Sequence, residues 1–210
     1  REREYAADEN IRHSTRSTDF ITPKTAMSRV FRDAVLTLAR HHPFARQLVN
    51  SGRLSVPAVL AGSSLNTADR DAFSGGPVPG SVSADAPVNR NDQADWLLSH
   101  LGETFSLLVF GGTGGLDDDA RALFAASQRC RVPVRNVAVL PVGARVNRAD
   151  GSAAATLLID REGLAAERYD ARPGTAYLIR PDQHVCARWR SAEAADLEAA
   201  LARALCARTD

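Results

Sequence analysis

Cysteine is scarce in this chain of 210 residues, with only Cys130, Cys186 and Cys206. Three widely spaced thiols exclude a disulfide-dense scaffold and a zinc site built on paired cysteines. An excess of one charge is missing too. Against 26 basic side chains stand 25 acidic ones, a net charge of +1, so nothing draws the chain to nucleic acid or an anionic membrane surface. No apolar run approaches the roughly 18–20 residues that cross a bilayer. The opening "REREYAADEN" lacks the apolar segment of a signal peptide. These absences set the expectation of a cytoplasmic chain with no metal, nucleic-acid or membrane partner. What is present is ordinary globular material, 44% hydrophobic and 24% charged. Its length suits one large or two small domains, each able to bury a core.

Two regions differ in pattern. Residues 1–60 read as helical. "REREYAADENIRHS" fits a charged, exposed helix. In "ITPKTAMSRVFRDAVLTLARHHP" Thr22 is the expected N-cap and Pro23 the first helical residue. Val30, Phe31, Ala34, Val35 and Leu38 recur there at amphipathic spacing. Pro43 stops that helix and begins a short one, with Gly52 expected at its C-terminal end. Large apolar residues are few, so this region reads as part of something bigger. Residues 61–92 are rich in Gly, Pro, Ser, Asn and Asp and read as an irregular linker and edge segment.

From residue 93 to 210, strands and helices alternate. "DWLLSHLG" predicts a short helix, "TFSLLVFG" a strand and "LDDDARALFAASQRC" a helix. "VRNVAVLP" and "AATLLID" predict strands, and "GLAAERYD" one or two helical turns. "GTAYLIRPD" and "HVCARWR" form a hairpin turning at Pro181-Asp182-Gln183. "SAEAADLEAALARALCA" closes the chain as a helix with Ser191 as expected N-cap. The order implies an α/β fold, a mixed sheet with helices on both faces.

The turn "GGTGGLDDD" invites a cofactor, and the residues answer no. A dinucleotide fingerprint needs a third glycine where Asp117 stands. No Gly-Lys-Ser/Thr follows, so it is no phosphate-binding P-loop. Asp117, Asp118 and Asp119 fill the helix start, where they favour the helix dipole and would repel a phosphate. The strand and helix order is also thioredoxin-like, and there Cys-x-x-Cys would sit at "GGTGGL". No thiolate is present to start disulfide exchange. Thr175 falls where thioredoxins have a cis-proline, with Pro173 nearby. Each cysteine reads as a small buried hydrophobe, with Cys130 ending a helix and Cys206 inside the last one. His41 and His42 sit at a helix C-terminus, where positive charge is favoured. His13, His100 and His184 have no ligand-spaced partner, and the acids around Asp95 read as a solvated face. The residues nominate no catalytic, cofactor-binding or metal-binding side chain.

Several phrases together resemble a known family: "EREYAADENIRHSTRSTDFITP", "NSGRLSVP", "FSGGPVPGSVSADAPV" and "RPGTAYLIRPDQHVCARWR". They are similar to the C-terminal portion of FAD-dependent aromatic-ring hydroxylases of the phenol hydroxylase and 3-(3-hydroxyphenyl)propionate hydroxylase type. The most specific parts are Gly76, Pro79, Gly80 and Asp85, and then Arg180-Pro181-Asp182 with Arg188-Trp189. Glu2-Arg3 or Glu4 falls near the Glu-Arg of the family's "Y-x-x-E-R-x-P" helix. The resemblance implies a thioredoxin-like domain lacking redox cysteines behind an FAD and substrate region whose helical tail is residues 1–60. It implies FAD and NAD(P)H in a parent monooxygenase, none of them bound to this piece. The expected partners are the FAD/substrate domain of its own chain and a second copy in a dimer. A stand-alone, redox-inactive interaction module and a peroxiredoxin-like thiol enzyme are the alternatives. The latter requires one cysteine of low pKa.

Overall fold

Six consecutive buried residues, Phe105–Phe110, make β3 the axis of a seven-stranded mixed sheet. The computed structural model describes residues 1–49, 57–145 and 155–206. Burial on both faces is what a continuous apolar run such as "FSLLVF" specifies. Leu107 and Val109 face one core with Ala138 and Leu140, and Leu108 and Phe110 face the other with Val137 and Val139. This is the period-two alternation of adjacent strands.

After β3 the chain forms α4 (Asp118–Ser127) and returns as β4 (Val134–Pro141), parallel to β3. Next come β5 (Ala155–Asp160), parallel to β4, and the short α5 (Leu164–Arg168). The hairpin β6 (Ala176–Ile179) and β7 (Val185–Trp189) is antiparallel, with β6 antiparallel to β3. Helix α6 (Ala194–Ala204) ends the fold. In front of β3 lie β1 (Pro87–Arg90) and β2 (Gln93–Trp96), giving the order β2-β1-β5-β4-β3-β6-β7. The core β4-β3-β6-β7, two parallel strands joined through a helix and then an antiparallel hairpin and a helix, is the thioredoxin-like arrangement. Helices α4 and α6 cover one face, and α5 with Tyr169 and Leu97 covers the other.

Several local expectations shift. Thr22 does not cap the second helix. Its N–H and hydroxyl both turn back to the Thr18 carbonyl, at 2.8 and 2.7 Å, and so end α1 (Glu2–Ile21). Thr25 caps α2 (Ala26–His41) instead, its Oγ1 accepting from Ser28 N–H at 3.1 Å. Pro43 opens α3 (Pro43–Val49); the expected end at Gly52 lies outside the described residues. Ser191 is displaced as cap of α6 by Glu193, which forms a capping box with Asp196. The helix expected at Asp95–Gly102 begins as β2, followed by a single 3-10 turn at Leu97–His100. The cause is the pair Asn91 and Asp92, both left-handed at φ 49° and 64°. They close a two-residue hairpin in which Arg90 faces Gln93.

Two compact units divide the chain at Leu60–Ala61. In the first, α1 has no buried residue, and Val35 is the buried residue of α2. Arg32 Nη1 donates to Ile21 C=O at 3.2 Å, and Arg46 Nε to Ala39 C=O at 2.9 Å, which tie the helices end to end. Met27, Val30, Phe31 and Leu38 stay exposed along α2. The second unit holds both cores. Residues 61–86 run over it, and Thr67, Gly80 and Ser83 donate backbone hydrogen bonds to the β6–β7 hairpin. No helix among the described residues is long and apolar enough to cross a membrane.

Candidate functional site

The turn between β3 and α4 occupies the place where a thioredoxin-like protein carries its chemistry. Here the turn is closed on itself. Gly112 and Gly115 exchange two backbone hydrogen bonds of 3.0 Å, leaving Thr113-Gly114 at the tip. Arg145 N–H donates to Thr113 C=O at 2.9 Å, and Gly115 takes a left-handed φ of 93°. Gly111 lies so near the Leu140 side chain that a Cβ there would collide with its Cδ2 and stand 2.9 Å from the Gly115 carbonyl. Asp117 caps α4, its Oδ1 accepting from Ala120 N–H at 2.8 Å. The helix start is therefore already satisfied by a carboxylate, with Asp118 and Asp119 behind it. These residues do not fit an FAD pyrophosphate.

Opposite the turn, Pro173 Cγ is 3.5 Å from the position a Gly112 Cβ would take. Thr175 is fully buried and structural. Its carbonyl accepts from Phe110 N–H at 2.9 Å, and its Oγ1 accepts from Arg172 N–H at 3.1 Å. There is no cis peptide bond among the described residues.

None of the three thiols lies at the turn. Cys186 is buried in β7, its Sγ 3.4 Å from Leu178 C=O, and burial pushes its pKa up to about 12. Burial, then Glu198, also raises Cys130, so both remain thiols at neutral pH. The buried assignment fails for Cys206. It is exposed and lies just past α6, in a left-handed conformation at φ 52°. Cys130 likewise follows α4 rather than ending it, and is half-buried.

His13, His100 and His184 each meet a single acid rather than forming a cluster. His100 Nε2 lies 2.9 Å from Asp95 Oδ2, and the carboxylate is held below its usual range first by the Trp96 N–H and then by His100. Asp95 stays partly exposed on this face while pairing with His100. The five-residue separation gave no signal, because it is neither a helical nor a strand repeat. His13 meets Glu9 at 3.3 Å and His184 meets Asp182 at 3.4 Å. Among the described residues no three His, Cys, Asp or Glu side chains form a metal-binding group. An open groove of about 460 Å³, lined in part by Glu103, Arg135 and Gln183, lies at the other end of β3 from the turn. Arg135 and Glu103 are already paired there at 3.0 Å, and Gln183 Nε2 donates to Leu98 and Leu101 carbonyls.

The residues that carry the family resemblance have structural work. Gly76, at φ 75°, passes so near Tyr169 and Tyr177 that a Cβ would stand 2.7 Å from Tyr169 O and 2.8 Å from Tyr177 Oη. Asp85 Oδ1 accepts from Ala86 and Leu98 N–H groups at 2.9 and 3.0 Å. Arg188 reaches three successive carbonyls, Gly75, Gly76 and Pro77, at 2.9 to 3.3 Å.

No protein-family model matches the chain, and no curated protein matches it. The solved structures it is similar to include flavin-dependent enzymes. The flavin-dependent monooxygenase PieE, in complex with FAD and substrate, has 21% identity, a TM-score of 0.55 and coverage of 90% of this chain and 32% of its own. Aklavinone-11 hydroxylase, in a ternary complex with FAD and aklavinone, has 24% identity and a TM-score of 0.51, covering 83% and 34%. RebC soaked with K252c has 18% identity and a TM-score of 0.55, covering 98% and 35%. The chain thus spans about a third of the length of these proteins, and at such identities the likeness is one of fold.

Proposed function

We propose that this chain is the C-terminal part of an FAD-dependent, NAD(P)H-using aromatic-compound monooxygenase, within which residues 61–210 serve as a redox-silent scaffold. In this reading residues 1–60 end the FAD/substrate region and pack on it through the apolar side of α2, where Met27, Val30, Phe31 and Leu38 stand exposed. They also contribute to a contact between two copies. Flavin, nicotinamide and aromatic substrate bind upstream, and the oxygen chemistry belongs to the flavin. The observation that carries the reading is a thioredoxin-like core whose turn holds Thr113-Gly114 where thiols would be. It lies in a chain that matches flavoprotein monooxygenases over 83–98% of its length.

The test has two parts. Purified chain mixed with FAD and passed through gel filtration is expected to retain no visible flavin absorbance. One flavin per chain would overturn the scaffold role. The coding sequence upstream of Arg1 is expected to continue in frame into a dinucleotide-binding domain with G-x-G-x-x-G. A start codon adjoining Arg1 would remove the parent enzyme from the proposal.

A further inference from the structure

At the end of the sheet away from the emptied turn, three pieces of chain line the open groove of about 460 Å³. They are the loop before β3, the start of β4 and the turn of the β6–β7 hairpin. Its walls are braced without any charge. Gln183 Nε2 donates to the Leu98 and Leu101 carbonyls at 3.2 and 3.0 Å, and Glu103 N–H donates to Pro181 C=O at 3.2 Å. Gly102 passes so near that a Cβ would stand 3.3 Å from both Gln183 Cγ and Pro181 O. Glu103 and Gln183 both hold left-handed backbone at φ 63°, which non-glycine residues keep only where their surroundings enforce it. Leu101 and Pro181 give the walls an apolar part. The groove is thus formed before anything enters it, as small-molecule sites usually are.

Arg135 is the cation that lines it. Its Nη1 donates to His100 C=O at 3.3 Å, which steadies the side chain from the 3-10 turn, and its Nη2 donates to Glu103 Oε2 at 3.0 Å. These bonds use two of the five N–H groups of a guanidinium, whose fork matches both oxygens of a carboxylate. On the rim, Asp182 has a cation of its own, Arg180, at 2.7 Å, and lies 3.4 Å from His184. Glu103 is therefore the counter-ion of Arg135, and a loosely held one. Its side chain is 84% exposed against 33% for Arg135, and one oxygen meets one nitrogen. An ion pair so open to water contributes little, and exchanging one carboxylate for another costs little.

We propose that this groove binds a small organic carboxylate, which takes the place of Glu103 on the Arg135 guanidinium and lays its carbon chain against Leu101 and Pro181. The carboxylate already seated there shows what the guanidinium recognises, and Glu103 is the ligand's internal competitor. The assignment does not depend on a parent enzyme, because every residue in it belongs to the second unit.

Titration of the 210-residue chain with butyrate at constant ionic strength, followed by amide and arginine side-chain NMR, tests the proposal. Resonances of Gly102, Glu103, Gln183 and Arg135 Nε are expected to shift and saturate with a Kd in the millimolar range, as suits so small a ligand. Butyramide, which has the same carbon chain and no charge, is expected to bind on the order of tenfold more weakly. Shifts that never saturate, or an equal response to butyramide, would overturn the site. Glu103→Gln removes the competing charge at the same side-chain length and should tighten butyrate about two- to fivefold. Unchanged or weaker binding in that variant would end the idea of competition. Arg135→Gln should abolish the saturable shift, and its persistence in folded variant would place the ligand elsewhere. Should Arg135→Gln not fold, Arg135→Lys keeps the charge, loses the fork and should weaken butyrate several-fold, with undiminished affinity counting against the proposal.

Discussion

Single side chains separate the thiols sharply. Cys206 is exposed, whereas Cys186 is enclosed in β7 with its pKa raised to about 12. Alkylation at neutral pH is expected to modify Cys206 first, Cys130 slowly and Cys186 only after denaturation, read by mass spectrometry of digested protein. Fast labelling of Cys186 in folded protein would contradict the packing of β7, and a second fast thiol would revive a thiol-enzyme reading. Among the glycines, Gly111 and Gly114 sit three residues apart in one turn and make opposite predictions. A Cβ on Gly111 meets Leu140 and the Gly115 carbonyl, whereas one on Gly114 meets nothing within 4 Å. Gly111→Ala should lower stability by about 1–3 kcal/mol, as overpacking does. Gly114→Ala should stay within about 0.5 kcal/mol of unaltered protein. Urea denaturation followed by fluorescence of the buried Trp189 compares them, and equal effects would mean that the turn is not packed on β4.

The elements were legible in unequal measure, for physical reasons. β3, β4 and the β6–β7 hairpin stand out because apolar runs bounded by Gly, Pro and Asp have few alternative structures. Helix starts were harder. Thr22 and Thr25 both satisfy the composition of a cap, and the choice depends on Thr22 bonding back to Thr18. Ser191 lost its place because its carbonyl serves Arg70 and Glu193 finds Asp196 three residues on. The β1–β2 hairpin was invisible because Asn91 and Asp92 adopt left-handed backbone without a glycine to announce it. The residues that hold segment 66–83 in place were hidden for another reason. Asp69 and Phe73 meet Arg188 across more than a hundred positions, which no local pattern records. The emptied turn, by contrast, could be read directly, since missing thiols and a run of three aspartates are properties of the sequence itself. The cap predicted there is also testable. Asp117→Ala removes the acceptor of Ala120 N–H and should cost about 1 kcal/mol. Asp119→Asn, which leaves that bond in place, should cost less. Equal losses in thermal or urea unfolding would show that charge at the helix start matters more than the cap.

At the scale of the whole second unit, the ionic fastening of residues 66–83 makes stability depend on acid. Asp170 is held below the usual carboxylate range first by the Ser74 N–H, against the opposing effect of burial, and then by Arg190 and the Gly75 N–H. Asp95 is lowered in the same sense by Trp96 N–H and His100. A carboxylate whose pKa is lower folded than unfolded binds fewer protons in the folded state. Its stabilisation is complete above the unfolded value of about 3.9 and is lost as pH falls through the folded one. Unfolding free energy is therefore expected to be nearly level from about pH 8 to pH 5 as far as these groups are concerned, and to decline below about pH 4. Asp170→Asn removes the charge of one of the two lowered groups, leaving an uncharged amide oxygen as acceptor for Ser74, Gly75 and Arg190. The variant should be less stable at neutral pH, and its acid decline should be shallower. Trp189 fluorescence in urea, repeated at each pH, gives both curves. If the two fall in parallel, the acid sensitivity originates away from residues 66–83, and the Asp170 carboxylate is not what holds Ser74 and Gly75 in place.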